Sequence, residues 1–243
     1  MRKLFDTLLD AIFPPYCVSC KRLSSWWCIE CRSRVELIRR EVCPGCGDLN
    51  NEHACPTIAQ YMAAPGTAWC LDALMATGFY HEPQLRSAIT ALKYDGGTCL
   101  VPLFSEHLET WRKDRLTPWP WQGTDHLVIA PVPATPSRVL ERGFDQAALL
   151  AQVLQETCAP WASVTSLLER KDRGETQASL GHNDLRRVNV EGAFRVSPQS
   201  SIPSQVVLVD DVFTTGSTMH EAARALKAAG VQKIYGFVIA IGA

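Results

Sequence analysis

Residues Val206 to Thr218, Val-Val-Leu-Val-Asp-Asp-Val-Phe-Thr-Thr-Gly-Ser-Thr, constrain this chain more than any other stretch. Four consecutive apolar residues, three of them β-branched, mark a parallel strand covered on both faces. The strand is predicted to end at Asp210. The paired acids Asp210 and Asp211 lead into hydroxyl residues around Gly216, and Met219 to Ala229 carries helix formers closed by Gly230 as a C-cap. Strand, polar loop and helix in this order put free backbone N–H groups and the positive end of a helix dipole at the carboxyl edge of a sheet. Gly216 there lets a ligand approach the main chain closely. This is the pattern of a phosphate site. The loop has no lysine and lacks the Gly-x-x-x-x-Gly-Lys-Ser/Thr spacing of a nucleoside triphosphate loop. Two acids beside the cradle call for a ligand with hydroxyl donors, or a metal next to its phosphate, and a sugar phosphate with a free 2′,3′-diol meets that requirement. A strand end that merely faces water, or the acidic pocket of a response regulator, also shows an apolar strand and paired acids. In the regulator the pair opens the domain, whereas here it lies near the carboxyl end.

A chain of 243 residues, 47% of them apolar, buries one substantial α/β core and carries a small appendage. Its net charge of −1 argues against a protein built mainly to bind nucleic acid or an anionic membrane. No apolar run reaches the length of a transmembrane helix, so no membrane insertion is expected. Asp6 and Asp10 interrupt any signal-peptide core, and residues 1–13 read instead as an amphipathic helix with Leu4, Leu8 and Ile12 on one face. A cytoplasmic location follows as the expectation. There, ten cysteines set mostly in Cys-x-x-Cys pairs point to metal rather than disulfides.

Residues 14–58 hold the pairs Cys17/Cys20, Cys28/Cys31 and Cys43/Cys46, followed by a lone Cys55. Each turn aims two thiolates at one point, and two turns complete a tetrahedral zinc site of structural type, with no open position for water. A second site needs an eighth ligand. The candidates are His53, only two residues from Cys55, and Cys70, beyond a loose linker; the spacing leaves open whether the sites are sequential or cross-braced. Lys21, Arg22, Arg32, Arg34, Arg39 and Arg40 outnumber the module's glutamates. They compensate thiolate charge or, with Trp26 and Trp27 as stacking platforms, form a single-stranded DNA surface.

Residues 59–70 read as a linker, and 71–243 as the larger domain, with Leu71 to Tyr80 its first strand and helices at Leu85 to Tyr94 and Leu100 to Arg112. Lys93, at a helix end beside a glycine turn, has an anion or plain solvent as its alternatives. Leu127 to Ala130 is a buried strand stopped by Pro131-Val132-Pro133. Arg138 and Arg142, just past that strand, suit a pyrophosphate because guanidinium donors match phosphate oxygens in pairs. A helix follows over Ala147 to Glu156. Arg170 to Asn183 is a long polar loop of the kind that covers a reactive sugar phosphate. Lys233 to Ile241 is a last buried strand.

Asp210 to Thr218 resembles the phosphoribosyl pyrophosphate (PRPP) loop of type I phosphoribosyltransferases without a break. The wider chain resembles the ComF family, which joins an N-terminal zinc ribbon to such a domain. The likeness runs through the Cys-x-x-Cys pairs, Ala91-Leu92-Lys93-Tyr94, Pro131-Val132-Pro133, Glu141-Arg142-Gly143-Phe144-Asp145-Gln146, Thr176-Gln177, Arg186-Arg187 and Gly192-Ala193-Phe194. It implies a parallel sheet with flanking helices and a hood. It also implies that Asp210 and Asp211 hold the ribose diol, directly or through Mg²⁺, that Val212 and Thr214 to Thr218 grip the 5′-phosphate, and that Pro131 to Arg142 receives pyrophosphate. Lys93, Gln177, Arg186 and Arg187 are further site residues on this reading. The activity implied is phosphoribosyl transfer to an unidentified acceptor, or PRPP sensing without transfer, in a protein linked to natural competence and DNA uptake. The chain departs from the family at Cys55, where a Cys-x-x-Cys pair is usual. It departs again at Asp145, which replaces asparagine and is expected to place an unhelpful charge near the pyrophosphate end unless Arg138 or Arg142 pairs with it.

Overall fold

A computed structural model describes residues 15–23, 25–50, 52–63, 68–94, 97–170, 192–198 and 200–242. Strands β1 (Ala73–Phe79), β2 (Leu127–Pro131), β3 (Ser163–Val164), β6 (Gln205–Phe213) and β7 (Lys233–Ile241) form a five-stranded sheet in the order β1-β7-β6-β2-β3. Every pairing in it is parallel. Strands β4 (Leu168–Arg170) and β5 (Phe194–Val196) form a separate antiparallel pair. Val206 to Val209 are fully buried, which is why β6 reads as an unbroken apolar run.

Seven helices are described: α1 (Ile29–Arg32), α2 (Pro56–Met62), α3 (Pro83–Lys93), α4 (Val101–Asp114), α5 (Pro136–Arg142), α6 (Gln146–Cys158) and α7 (Ser217–Ala228). On one face of the sheet, α3, α4 and α6 cover Ile129, Val207, Val209 and Phe237. On the other, α7 covers Val206, Leu208, Ile234 and Val238, together with Leu167, Leu168 and Phe194 from the antiparallel pair. The chain leaves β2 toward β3 in one direction and leaves β6 toward β7 in the other. The carboxyl ends of β2 and β6 therefore flank a topological switch point, where open α/β sheets bind ligands.

Two local differences bear on the site. β6 continues through both acids to Phe213 instead of ending at Asp210, because β7 stays apolar to Ile241 and extends the ladder through Asp210–Val238, Val212–Ala240 and Phe213–Ile241. Helix α2, opened by Pro56 at its first turn, runs on to Met62 and so into the stretch expected to be an irregular linker, and its Tyr61 ring meets His220 of α7 at 4.1 Å.

The cysteine-rich segment lies against the sheet. The Ile38 N–H donates to Thr77 O at 3.0 Å and the Val42 N–H to Leu74 O at 3.0 Å, so this stretch lines the free edge of β1 and shields it. Trp27 is buried, its ring 5.4 Å from Phe104 and 5.3 Å from His107 of α4. It is core, not the stacking platform expected of it. Arg32 pairs with Glu106, and Arg39 pairs with Asp114 at 2.7 Å. Two of the module's basic residues, for which thiolate compensation and a nucleic-acid surface were the alternatives, thus pair with acids of α4.

Candidate functional site

At the end of β6 the chain turns outward through Thr214 and Thr215, both exposed, to Gly216 and the start of α7. Gly216 sits at φ 72°, in the left-handed region, and a Cβ there would lie 2.5 Å from Phe213 Cζ. Only glycine fits, and the first reason is this turn over the Phe213 ring rather than ligand approach. The Gly216 carbonyl accepts from the His220 N–H at 2.8 Å and so starts the helix. The Thr215 and Ser217 hydroxyls lie 2.9 Å apart, at the open rim. Thr218 and Val212 are half-buried beside them. The first turn of α7 leaves its N–H groups without helical partners and directs the dipole at this rim, which suits an anion.

The two acids differ. Asp211 is 6% exposed and doubly held: Lys93 Nζ lies 2.7 Å from its Oδ2, and the Gln146 amide donates to the same oxygen at 2.7 Å. Lys93 is therefore not a solvated helix-end lysine; it neutralises a buried carboxylate. Asp210 is half-buried, and its Oδ1 accepts from the Asp211 N–H at 2.8 Å. Among the described residues no cation lies within ion-pair distance of it. Desolvation, then the Asp211 charge at its side, push its carboxyl up to about 8. A carboxyl in that state gains most from a cation or a hydroxyl donor brought to it. The oxygen donor set beside a phosphate turn fits Mg²⁺, with Asp210 the carboxylate free to hold it.

Across the switch point, Val132 donates its N–H to Val209 O at 2.8 Å, which sets Pro131, Val132 and Pro133 alongside the acids. The two arginines part company. Arg138 is exposed on α5, whereas Arg142 bonds the Gln146 amide oxygen and lies 5.6 Å over the Tyr94 ring. Arg142, Gln146, Asp211 and Lys93 thus form one connected polar row. The sequence assigns Gln146 no role of its own; its place in the first turn of a helix just after the Pro131 loop is the signal it carries. Asp145 caps α6, accepting from the Ala147 and Ala148 N–H groups at 2.9 and 3.4 Å and from Ala134 at 3.1 Å, and its charge adds to those that raise the Asp210 carboxyl. It pairs with neither arginine. Gln177, Arg186, Arg187 and the amphipathic helix expected over 1–13 fall outside the described residues.

The cysteines resolve into two four-donor sets. Cys17, Cys20, Cys28 and Cys31 form one; Cys43, Cys46, His53 and Cys55 form the other, and within each set the donor atoms all lie within 4.8 Å of one another. The donor sets are sequential, and the eighth donor is His53, one of the two candidates that spacing disfavours. Its Nδ1 bonds Asn50 O, leaving Nε2 to face Cys46 Sγ at 3.4 Å. Holding one ring nitrogen on a carbonyl and presenting the other is how a metal-binding histidine is oriented. Cys28 and Gly45 donate their N–H groups to Cys17 Sγ and Cys43 Sγ, each at 3.4 Å. Both donor sets fit structural zinc. Cys70 instead donates to Ala68 O.

Residues 139–241 match the family model "Phosphoribosyl transferase domain", and residues 8–73 match "Double zinc ribbon domain". The DNA utilization protein YhgH of Salmonella typhi is 31% identical over 225 residues, covering 88% of this chain and 91% of that protein. Competence protein F of Haemophilus influenzae is 29% identical over 227 residues, 85% and 93% of the two chains. Competence protein ComFC of Streptococcus pneumoniae is 25% identical over 213 residues, 86% and 85%. With both modules in the same order and relatives matched over nearly their whole length, the chain belongs to the ComF family of zinc-ribbon, phosphoribosyltransferase-like proteins.

Proposed function

We propose that the chain binds PRPP with Mg²⁺ at the carboxyl edge of β6 and transfers its phosphoribosyl group to a nitrogen acceptor, working in the cytoplasm as part of DNA uptake. What carries the reading is the Thr214 to Thr218 turn at the switch point, exposed at Thr214 and Thr215, beside an Asp210 with no ion-pair partner among the described residues. The backbone N–H groups and hydroxyls of the turn take the 5′-phosphate. Asp210 receives the ribose diol or the cation, and Asp211, locked by Lys93 and Gln146, orients it. Pyrophosphate lies toward Pro131 to Arg138, where Arg138 is free to meet it. The bond from the anomeric carbon to pyrophosphate breaks, a bond to the acceptor nitrogen forms, and the acceptor gives up a proton. The protein contributes positioning and charge stabilisation, and none of its residues becomes covalently attached. Bound Mg²⁺ would neutralise charge on the leaving pyrophosphate.

A second reading is a PRPP-responsive accessory protein that transfers nothing. The Lys93–Asp211 pair favours it, because a carboxylate so held is withheld from a ligand, and the names of the relatives speak of DNA and competence rather than a reaction. Pyrophosphate release on adding purine or pyrimidine bases or single-stranded DNA to protein, PRPP and Mg²⁺ supports transfer. PRPP binding without release supports the accessory reading. For DNA contact the informative substitutions are Lys21, Arg22, Arg34 and Arg40 to Ala, since Arg32 and Arg39 are occupied in ion pairs.

A further inference from the structure

The two metal centres sit differently with respect to the phosphate turn. In the first, Cys17, Cys28 and Cys31 are buried with Trp27, Leu85 and Phe104 on the α3 and α4 face. The second reaches the opposite face. Its knuckle closes with the Gly47 N–H donating to Cys43 O at 2.8 Å, and Gly47 takes φ 77°. A Cβ on Gly47 would lie 3.6 Å from Phe213 Cδ1 and 3.7 Å from Ile241 Cβ, so the knuckle faces these side chains with room for no more than a methyl group between. The far edge of the same Phe213 ring supports Gly216. Phe213 is 3% exposed, and its carbonyl accepts from the Gly242 N–H at 2.9 Å, so both ring and backbone are held.

A second contact runs the same way. Cys55, a donor of that metal centre, is the N-cap of α2. Tyr61 of α2 stands edge-on to His220, whose backbone N–H bonds the Gly216 carbonyl at 2.8 Å. Trp69 stacks on the His220 ring at 4.3 Å and meets Tyr61 edge-on at 5.7 Å, so the three rings form one cluster. Two routes therefore lead from the second metal centre to the one residue that sets the phosphate turn.

We propose that Phe213 is a positioning residue that couples the Cys43, Cys46, His53 and Cys55 metal centre to the phosphate turn, so that metal there and PRPP at Gly216 strengthen each other's binding. The inference rests on the reading of the turn as a PRPP site. Metal closes the knuckle, the knuckle fixes Gly47 and Cys55, and these hold Phe213 and His220 in the arrangement that aims the turn outward. A turn already in place binds its ligand without first being ordered. Coupling of this kind is reciprocal. Among the described residues the first metal centre packs on the α3 and α4 face, away from Phe213, and is left out of the coupling.

The test uses the full chain loaded with two zinc ions and a zinc-selective chelator that leaves Mg²⁺ in solution. Saturating PRPP with Mg²⁺ should raise the chelator concentration needed to withdraw one zinc by about tenfold and leave the other unaffected. His53→Ala should remove the responsive zinc. Phe213→Leu should keep both zinc ions, bind PRPP more weakly and lose the shift. If that variant does not fold, Tyr61→Leu, which cuts the parallel contact, should reduce the shift. PRPP binding by calorimetry with no change in either zinc overturns the coupling alone. So does a full shift in Phe213→Leu. No PRPP binding overturns the reading of the turn and the coupling with it.

Discussion

In the zinc ribbons, polar donors converge on one another: two sets of four, each within 4.8 Å, with Cys17, Cys28, Cys31, Cys43 and Cys55 buried. At the carboxyl edge of β6 the donors diverge. Thr214 and Thr215 are exposed, and Asp210 has no ion-pair partner among the described residues. A closed set has satisfied itself once its metal is bound and serves stability. An open set, left incomplete by a fold that is otherwise well packed, is where a ligand belongs. The pair of neighbouring acids repeats the contrast within one strand, with Asp211 closed by Lys93 and Gln146 and Asp210 open.

The strongest way to break this contrast is to remove donors from the closed set. Cys17→Ser with Cys28→Ser should lower zinc from two per chain to one by metal analysis and expose Trp27, giving largely insoluble protein, because the ribbon has little apolar core without its metal. Unchanged zinc content would mean that the ligands are wrongly assigned. Gly216→Ala attacks the open set through its backbone. It forces a Cβ against Phe213 at a positive φ, costs about 2 kcal/mol of strain, and should weaken PRPP by about thirtyfold while zinc content stays at two per chain. Asp210→Asn should weaken PRPP by about tenfold, the worth of one charge-assisted bond, with thermal stability unchanged or raised, since it removes a carboxyl that burial disfavours as an anion.

The smallest expected effect tests the core that joins the two regions. His107 contacts Trp27 and shares a 2.9 Å hydrogen bond with Thr77, and His220 packs against both Tyr61 and Trp69. Burial lowers both imidazoles to about 4. Between the unfolded value near 6.5 and that level, the unfolded chain takes up more protons, so stability is complete above about pH 6.5 and falls on acidification. Asp210, raised to about 8, takes up protons in the folded chain over the same range and offsets part of this loss, so the readout is the difference between chains: from pH 7 to 5.5 the melting temperature of His107→Gln, which still meets Thr77, should rise by about 3 °C relative to the native chain.

Much of the sheet was legible because burial on both faces leaves apolar runs that need no partner to be recognised, as at Leu127 to Ala130 and Val206 to Val209. The extension of β6 to Phe213 was not, because acids inside a strand look like its end; only the facing β7 shows that pairing continues. Helix α5 escaped notice because it buries none of its residues, although Pro136 and Gly143 frame it as a first-turn proline and a left-handed cap do. His53 was weighed low on sequence distance, whereas the turn through Asn50 decides which ring nitrogen faces the thiolates. The position of Asp145 before a helix spells an N-cap, a role that coexists with its charge acting on Asp210. In the site, the turn was legible as a motif. The division of labour between Asp210 and Asp211 was not, because Lys93 and Gln146 reach Asp211 from distant parts of the chain.

The central claim, that the Thr214 to Thr218 turn with Asp210 is a PRPP site, is tested most directly by calorimetric titration of PRPP and Mg²⁺ into zinc-loaded protein and its Gly216→Ala variant. The account predicts saturable binding of one PRPP per chain that is severely weakened in the variant. No binding to the native chain, or equal binding to both, would contradict it.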